Sequence, residues 1–461
     1  MSSVQRILSD VLRYVVPDRL KPHLAGVYNN IRSARADHRF TPAKRDFEEP
    51  SDEPRHVVLV VVDALRDDVI TPETTPFLTE RRLCSAVTAS PWTYPSVISI
   101  LTGQYPNEHG KMRQTDEADP SRKSSLSLPP KLETNAPTIS RMLAGAGIET
   151  YGGFGFMMPF IALRGHFDTH QLYRHGDAES VLTDHRSWLE SCTAERTFSY
   201  IHLADLHSPL DPPEKYLRRF DVNESVGDLA NWEHTDETRV EGEIEEYVVN
   251  KKRMYEAAAT YVDDCLSDYC DDLPQSEDVN IVITGDHGEA FWEFAAFDSE
   301  RFYDNRPAYS VAHGGTPYES ITRVPLISES LTVANQTGVS LIDLAPTLLT
   351  CFGIDPPEIM TGRPLQFESP DDRILLTEAS RYGYEKKTVY GGKWKLLRSK
   401  SDGEEVAFRL QEEEKVATPP EEVRDQLSSA FPAWPSSDPD EEDNQRVSGT
   451  VESRLKNLGY K

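Results

Sequence analysis

The sequence lacks any long apolar run. No stretch reaches the roughly 18 apolar residues that a membrane-spanning helix needs. The segment VLRYVV (11–16), near the N-terminus, is too short for a signal-peptide core and is flanked by charged residues. These absences predict a cytoplasmic protein.

Cysteine is also scarce. The chain has five cysteines in 461 residues, an odd number that does not suit a disulfide framework. Cys265 and Cys270 are close together, but no second pair stands at a zinc-site spacing. We expect reduced, mostly buried thiols in a reducing compartment.

Basic residues are strongly outnumbered. The 77 Asp and Glu residues exceed the 49 Lys and Arg residues, which leaves a formal charge of -28 at pH 7. A surface of this sign repels a phosphate backbone, so the composition argues against a nucleic-acid partner. Such acidity is typical of a solvated surface suited to high salt, as in halophilic proteins.

The N-terminal region differs from the rest in charge. Residues 1–45 contain nine Lys or Arg residues against three Asp or Glu residues. Residues 4–35 have helix-like apolar spacing that Pro17 and Pro22 interrupt. This segment either lies as an amphipathic helix on an anionic membrane, at the inner membrane surface, or packs on its own domain. With the polar linker that follows, it forms a basic N-terminal region over 1–54.

Three β-branched apolar runs predict the strands of a buried sheet. They are HVVLVVVDAL (56–65), TFSYIHLADLHSP (197–209) and DVNIVITGDHGE (278–289). Helical patterns lie around them, at 136–147, 179–192 and 250–270. This alternation predicts an α/β catalytic domain over 55–370, with a mostly parallel sheet and helices on both faces. Ligands bind at the carboxyl ends of such strands, and all three runs end in acidic or histidine residues.

The pattern changes after about residue 370. Short strand-like segments separated by turns follow, namely RILLTEASRYG (373–383), KKTVYGGKWKLLRS (386–399) and EEVAFRLQ (404–411). They predict a small antiparallel α+β subdomain over 371–461, with an acidic mobile loop at 436–446.

Chemically useful side chains follow two of the predicted strands. Asp63 comes directly after the first, where it is either an N-cap for the next helix or a ligand at the rim of the sheet. Asp286 and His287 lie between two glycines, which allow a tight turn around one oxygen and one imidazole ligand. Thr93, in TYPSVISILTG (93–103), is either a helix cap or a nucleophile held at a helix start.

The order of these segments resembles the sulfatase-like family of the alkaline phosphatase superfamily. After Asp63, the shared motifs are TYPSVISILTGQYPNEHG (93–110), HLADLHSPLDPP (202–213), TGDHGE (284–289) and HGGTPYESITRVPLI (313–327). The resemblance spans roughly residues 55–430. It implies an alkaline-phosphatase-like fold followed by a sulfatase-type C-terminal subdomain.

The resemblance also implies roles for particular residues. Thr93 falls where sulfatases carry the cysteine that becomes formylglycine, and where phosphatase-like members carry Ser or Thr. His207 matches the histidine that faces the anionic group or the leaving oxygen of the substrate. His313 stands where other members have Lys or His, and would bind the substrate oxyanion or a second metal. Because coordination to a divalent cation activates a hydroxyl group, we interpret Thr93 as the nucleophile.

Two departures argue against ordinary sulfate-ester hydrolysis. At the first and last positions of the motif Cys/Ser-x-Pro-x-Arg this chain has Thr93 and Val97, and threonine cannot yield the aldehyde. The tandem Asp-Asp common after the first strand is Asp63-Ala64 here, so one carboxylate ligand is missing. A threonine alkoxide fits phosphoryl or phosphonate chemistry better.

One divalent metal ion is expected. Its ligands would be Asp63, Thr93, Asp286 and His287. The imidazole favours Mn²⁺ or Zn²⁺, while Mg²⁺ and Ca²⁺ stay open. A second ion would need a further set, Asp205, His207 and His313, but the spacing of its first two members does not match two-metal relatives. Glu289 is expected to support His287.

These observations predict a metal-dependent hydrolase of phosphate-type or sulfate-type esters that uses Thr93 covalently, with an anionic ester as its substrate. Two alternatives stay open. One is a transferase that moves a phospho-group between membrane lipid or glycan acceptors, which only the basic N-terminus favours. The other is a catalytically degenerate protein that binds a glycan or anion.

Overall fold

The central sheet of this computed structural model is built on the predicted apolar runs. The structure describes residues 21–44, 55–112, 131–173, 176–273, 279–334, 338–370, 372–410 and 414–434. The segments 1–20 and 436–446, on which two of the expectations fall, lie outside the described residues.

The strands up to residue 330 form two sheets. They are β1 (His56–Val62), β2 (Arg82–Val87), β3 (Glu149–Phe154), β4 (Thr169–Leu172), β5 (Thr197–Leu203), β6 (Val279–Gly285), β7 (Ala290–Phe291), β8 (Val311–Ala312) and β9 (Arg323–Ile327). The larger sheet has the order β2-β9-β6-β1-β5-β3-β4, and β7 pairs with β8 separately. In the larger sheet β9 runs antiparallel to both of its neighbours, and the other pairings are parallel.

Helices cover both faces of this sheet. The α-helices of the described residues are α1 (Lys21–Asp37), α2 (Pro76–Glu80), α3 (Thr93–Thr102), α4 (Pro106–His109), α5 (Ile139–Gly145), α6 (Met157–Leu163), α7 (Ala178–Ser191), α8 (Glu214–Arg219), α9 (Glu243–Asp271), α10 (Ala295–Arg301), α11 (Glu319–Thr322), α12 (Leu344–Cys351) and α13 (Glu421–Ser429), the last of which packs on the C-terminal sheet. Alternate residues of β1 enter two different apolar cores, one with α3, α6 and α12 and the other with α7 and α9. The predicted α/β architecture is therefore confirmed.

The described part of the N-terminal segment packs on its own domain. Asp37, at the end of α1, accepts hydrogen bonds from the backbone and the ring of His170 in β4, and Ser33 Oγ accepts from Leu172 N at 3.1 Å. Val27 and Ile31 remain exposed on the other side. None of the described helices is both long and apolar enough to span a bilayer. Contact with a membrane surface stays a prediction.

The C-terminal strands form a second, antiparallel sheet in chain order. They are β10 (Leu375–Thr377), β11 (Lys386–Gly391), β12 (Trp394–Ser399), β13 (Glu405–Leu410) and β14 (Glu414–Val416). Leu427 of α13 packs with Val389 and Leu396 in one apolar cluster. The three strand-like segments predicted here are confirmed.

A buried ion pair connects the first two strands of this second sheet, since Glu378 directly follows β10 and Lys387 lies in β11. Glu378 and Lys387 are both fully buried, and their charged groups lie 2.8 Å apart. Glu378→Ala leaves the ammonium group of Lys387 buried without its carboxylate, so we expect unfolding free energy to fall by about 3–5 kcal/mol. Guanidinium unfolding measures this loss. Glu214→Ala, which removes the exposed partner of Arg218, is the control and should change stability by less than about 1 kcal/mol. Equal losses in the two variants would contradict the interpretation.

Candidate active site

Two carboxylates meet at the carboxyl edge of the central sheet. Asp63 follows β1 and Asp286 follows β6, and these strands are parallel neighbours with Val62 opposite Gly285. Both carboxylates are fully buried. The strand register therefore places two acidic side chains together in one buried region.

Backbone and hydroxyl groups hold Asp286 in place. Its Oδ1 accepts hydrogen bonds from Ala64 N at 3.2 Å and from His287 N at 2.9 Å. Its backbone carbonyl accepts from Thr88 Oγ1 at 2.5 Å and from Ser96 Oγ at 2.7 Å. Since Ser96 lies in α3, this network also fixes the start of that helix against the end of β6.

Thr93 is the first residue of α3 and lies among the predicted ligands. Its Oγ1 is 3.3 Å from Asp63 Oδ2 and 3.2 Å from His287 Nε2. His287 Nδ1 lies 2.8 Å from the carbonyl oxygen of Gly288, so this nitrogen carries the proton and Nε2 presents its lone pair to the site. The structure thus brings together all the residues expected to bind the metal, Asp63, Thr93, Asp286 and His287.

These residues fit a divalent cation. Asp63 Oδ1 and Asp286 Oδ2 are buried and have no hydrogen-bond partner among the described residues, although both lie within 3.7 Å of His287 Nε2. Burial and the neighbouring charge of Asp63 raise the pKa of Asp286 to about 6. A bound cation would neutralise both carboxylates and satisfy their open oxygens.

His202 is a site residue that the sequence analysis missed. It lies in β5, and its Nε2 is 3.1 Å from Asp63 Oδ2 while its Nδ1 is 2.8 Å from the hydroxyl of Tyr200. Asp63, His202 and Asp286 each offer a ligand atom within 4.8 Å of the others. The one signal in the sequence is a histidine near the end of a predicted strand.

The two histidines expected to face the substrate lie on one side of this group. The rings of His207 and His313 are 5.2 Å apart, and the ring of His313 is 4.2 Å from that of His287. Burial lowers the pKa of His207 and of His313, so both rings are neutral near pH 7. The expected role of Glu289 was wrong, because its Oε1 contacts His313 Nδ1 at 2.8 Å, whereas His287 is held by the backbone.

Arg381, also missed, reaches the site from the segment after β10. Its guanidinium lies 5.4 Å from the ring of Trp92, and its positive charge helps to lower the pKa of His207 and of His313. Its backbone N–H donates to the carbonyl of Gly314, next to His313. No local pattern in the sequence signals the contact between Arg381 and Trp92, since these residues are far apart along the chain.

Asp205 makes a different contact. Its Oδ1 accepts a hydrogen bond from Ala178 N, the first residue of α7, at 3.0 Å. Burial raises the pKa of this carboxyl to about 7. This geometry supports a helix-capping role for Asp205, and its participation in a second metal site stays a prediction.

The mostly parallel sheet, with buried carboxylates and histidines at its carboxyl edge, is an alkaline-phosphatase-like fold. A family model described as Sulfatase matches residues 55–354, which is well over half of the chain. The protein therefore belongs to the sulfatase family of the alkaline phosphatase superfamily.

Individual relatives are more distant. The uncharacterized sulfatase YidJ of Escherichia coli (strain K12) is 29% identical over 137 residues, covering 29% of this chain and 24% of that protein. The 2,3-bisphosphoglycerate-independent phosphoglycerate mutase of Thermomicrobium roseum is 35% identical over 109 residues, covering 24% of this chain and 19% of the mutase. The chain thus matches a quarter or less of the length of these curated relatives. A phosphonate monoester hydrolase from Silicibacter pomeroyi shares the fold, with a TM-score of 0.56, 16% identity and coverage of 81% of this chain and 93% of the hydrolase.

The raised pKa of Asp286 predicts a pH dependence of stability in metal-free protein. Because the folded state binds the proton more tightly than the unfolded state, this group's contribution is present below about pH 4 and is lost as the pH rises through about 6. Guanidinium unfolding in EDTA at pH 4.5 to 7.5 should show wild type losing about 2 kcal/mol relative to Asp286→Asn. A difference between the two proteins that does not change with pH would contradict this assignment.

Proposed function

We propose that this protein is a metal-dependent hydrolase of phosphorus esters, either phosphate esters or phosphonate esters, with Thr93 as the covalent nucleophile. The observation that carries the proposal is the position of the Thr93 hydroxyl, which lies within 3.3 Å of both Asp63 Oδ2 and His287 Nε2 at the start of α3. A threonine in this place cannot become formylglycine, whereas it can be phosphorylated directly.

Asp63, Thr93, Asp286 and His287 would hold the cation, and their mixed oxygen and nitrogen donors favour Mn²⁺ or Zn²⁺. When bound, the cation supplies positive charge that lowers the pKa of the Thr93 hydroxyl and offsets the charge of the substrate. The carboxylates and the imidazole also fix the Thr93 oxygen in one orientation, which lowers the entropic cost of attack.

The reaction we propose has two steps. In the first, Thr93 Oγ1 forms a bond to phosphorus and the bond from phosphorus to the alcohol oxygen breaks. The threonine proton passes to solvent, and the alcohol leaves with a proton from His207, which solvent then restores. In the second, water attacks the phosphothreonine, the bond from phosphorus to Thr93 Oγ1 breaks, and a proton returns to the threonine oxygen. The net change is hydrolysis of one ester bond.

Three groups around Thr93 suit the charges that develop in these steps. The N-terminus of α3 favours an anion beside its first residue. The negative charge of a bound substrate would raise the pKa of His207 and favour its protonated ring. Since His207 Nδ1 already donates to the Ser208 carbonyl at 2.7 Å, the added proton would lie on Nε2, which could donate it to the leaving oxygen. Arg381 would bind a non-bridging oxygen of the substrate.

The relatives include proteins named for sulfate chemistry and proteins named for phosphate chemistry, so they do not favour either substrate class. The family is that of the sulfatases, while four curated relatives are phosphoglycerate mutases, each similar to this chain over part of its length. The choice therefore rests on the nucleophile, and the threonine at position 93 favours phosphorus.

The test compares wild type with Thr93→Ala and Thr93→Ser. Each protein is loaded in turn with Mn²⁺, Zn²⁺, Mg²⁺ or Ca²⁺ and assayed with an aryl sulfate, an aryl phosphate, a phosphodiester and an aryl phosphonate. We expect turnover of phosphorus esters that falls by at least about 1,000-fold in Thr93→Ala, because the nucleophile is gone, and that partly survives in Thr93→Ser. Sulfate turnover alone, or full activity in Thr93→Ala, would contradict the proposal.

Arg381 gives a second prediction. Arg381→Gln removes a positive charge that we place against the substrate, so kcat/KM should fall by about 10- to 100-fold for a phosphate monoester and less for a phosphodiester, which carries less charge. Arg381→Lys, which keeps the charge, is the matched control and should retain more activity. Steady-state kinetics on both substrates measures the difference, and equal losses on the two esters would show that Arg381 has only a structural role.

A further inference from the structure

The strand end at Asp63 lacks one carboxylate that sulfatase-like sequences commonly have. The residue that follows is Ala64, whose backbone N–H donates to Asp286 Oδ1 at 3.2 Å and whose φ is 60°. Its methyl group cannot bind a cation. If the site holds a metal ion, another donor must replace the missing oxygen or the coordination shell stays incomplete.

His202 is the candidate for this additional donor. It lies on β5, directly beside β1, where it pairs with Val61 two residues before Asp63. The side chain is fully buried, and its Nε2 is 3.1 Å from Asp63 Oδ2. The ligand atoms of Asp63, His202 and Asp286 lie within 4.8 Å of one another, as they would around one ion.

Resting on the proposed function, we propose that His202 is a ligand of the divalent cation and takes the place of the carboxylate that Ala64 lacks. The site would then have imidazole nitrogen from both His202 and His287. Two nitrogens beside the carboxylates favour Zn²⁺ or Mn²⁺ over Ca²⁺ and Mg²⁺, which prefer oxygen ligands.

Tyr200 supports this arrangement. Its hydroxyl oxygen is 2.8 Å from His202 Nδ1, and a histidine that binds a metal through one nitrogen usually donates its other N–H to an oxygen. The opposite tautomer would have Tyr200 donate to Nδ1 and His202 donate to Asp63, so that His202 only orients the carboxylate. Contacts alone leave both tautomers open, but Asp63 Oδ1 and Asp286 Oδ2 are buried without hydrogen-bond partners among the described residues, which points to a cation between these side chains.

The experiment counts nitrogen ligands directly. The full chain is loaded with Mn²⁺, and pulsed electron paramagnetic resonance measures the coupling of the ion to directly bound ¹⁴N. We expect two imidazole nitrogens in wild type and one in His202→Leu, with Mn²⁺ affinity lower by about 10- to 100-fold in the variant. Tyr200→Phe is the control for loss of the tyrosine contact and should keep both nitrogens.

The double variant Ala64→Asp/His202→Leu tests the replacement itself. It restores the carboxylate and removes the imidazole, so it should bind Mn²⁺ with one nitrogen and gain affinity for Ca²⁺ relative to wild type. One nitrogen in wild type, or two in His202→Leu, would overturn the assignment of His202, and the wild-type spectrum decides this even if a variant does not fold. Failure of wild type to bind Mn²⁺ would instead overturn the metal site on which the proposed function depends.

Discussion

The candidate site depends on two buried carboxylates, Asp63 and Asp286, that the strand register places side by side. Because β1 and β6 are neighbouring parallel strands in register, Asp63 and Asp286 emerge side by side from a sheet that is covered on both faces. Burying two like charges away from solvent costs several kcal/mol unless opposite charge is present. This unfavourable burial is visible in two features. One oxygen of each carboxylate has no hydrogen-bond partner among the described residues, and the pKa of Asp286 is raised.

The surrounding structure places the hydroxyl group of Thr93 next to this pair of carboxylates. Thr88 and Ser96 tie the backbone of Asp286 to the first turn of α3, which sets Thr93 within reach of the carboxylates. The C-terminal sheet also contributes to the site. Glu385 Oε1 accepts hydrogen bonds from Ala379 N and Ser380 N, and this holds the segment that carries Arg381 beside Trp92. The segment that joins β10 and β11 is therefore part of the wall of the candidate site.

The sequence predicted the parts of the site that depend on local pattern. Apolar runs located β1, β5 and β6, and residues directly after two of them are the ones that meet at the sheet edge. Helix α9 begins at Glu243, several residues before the predicted 250, because the acidic first turn extends the helix beyond its apolar face. The rest depends on three-dimensional contacts. His202 looks like one more strand residue until β5 is placed beside β1, and the partner of Glu289 depends on the turn that brings His313 back to it.

If Thr93 attacks phosphorus, a phosphorylated enzyme forms during turnover and can be trapped. Metal-loaded enzyme turning over an aryl phosphate is quenched in acid, digested and mapped by mass spectrometry. We expect a peptide carrying one phosphoryl group on Thr93, which is absent without substrate and absent from the Thr93→Ala protein. Turnover in the same sample with phosphate on another residue, such as Ser96, would contradict it.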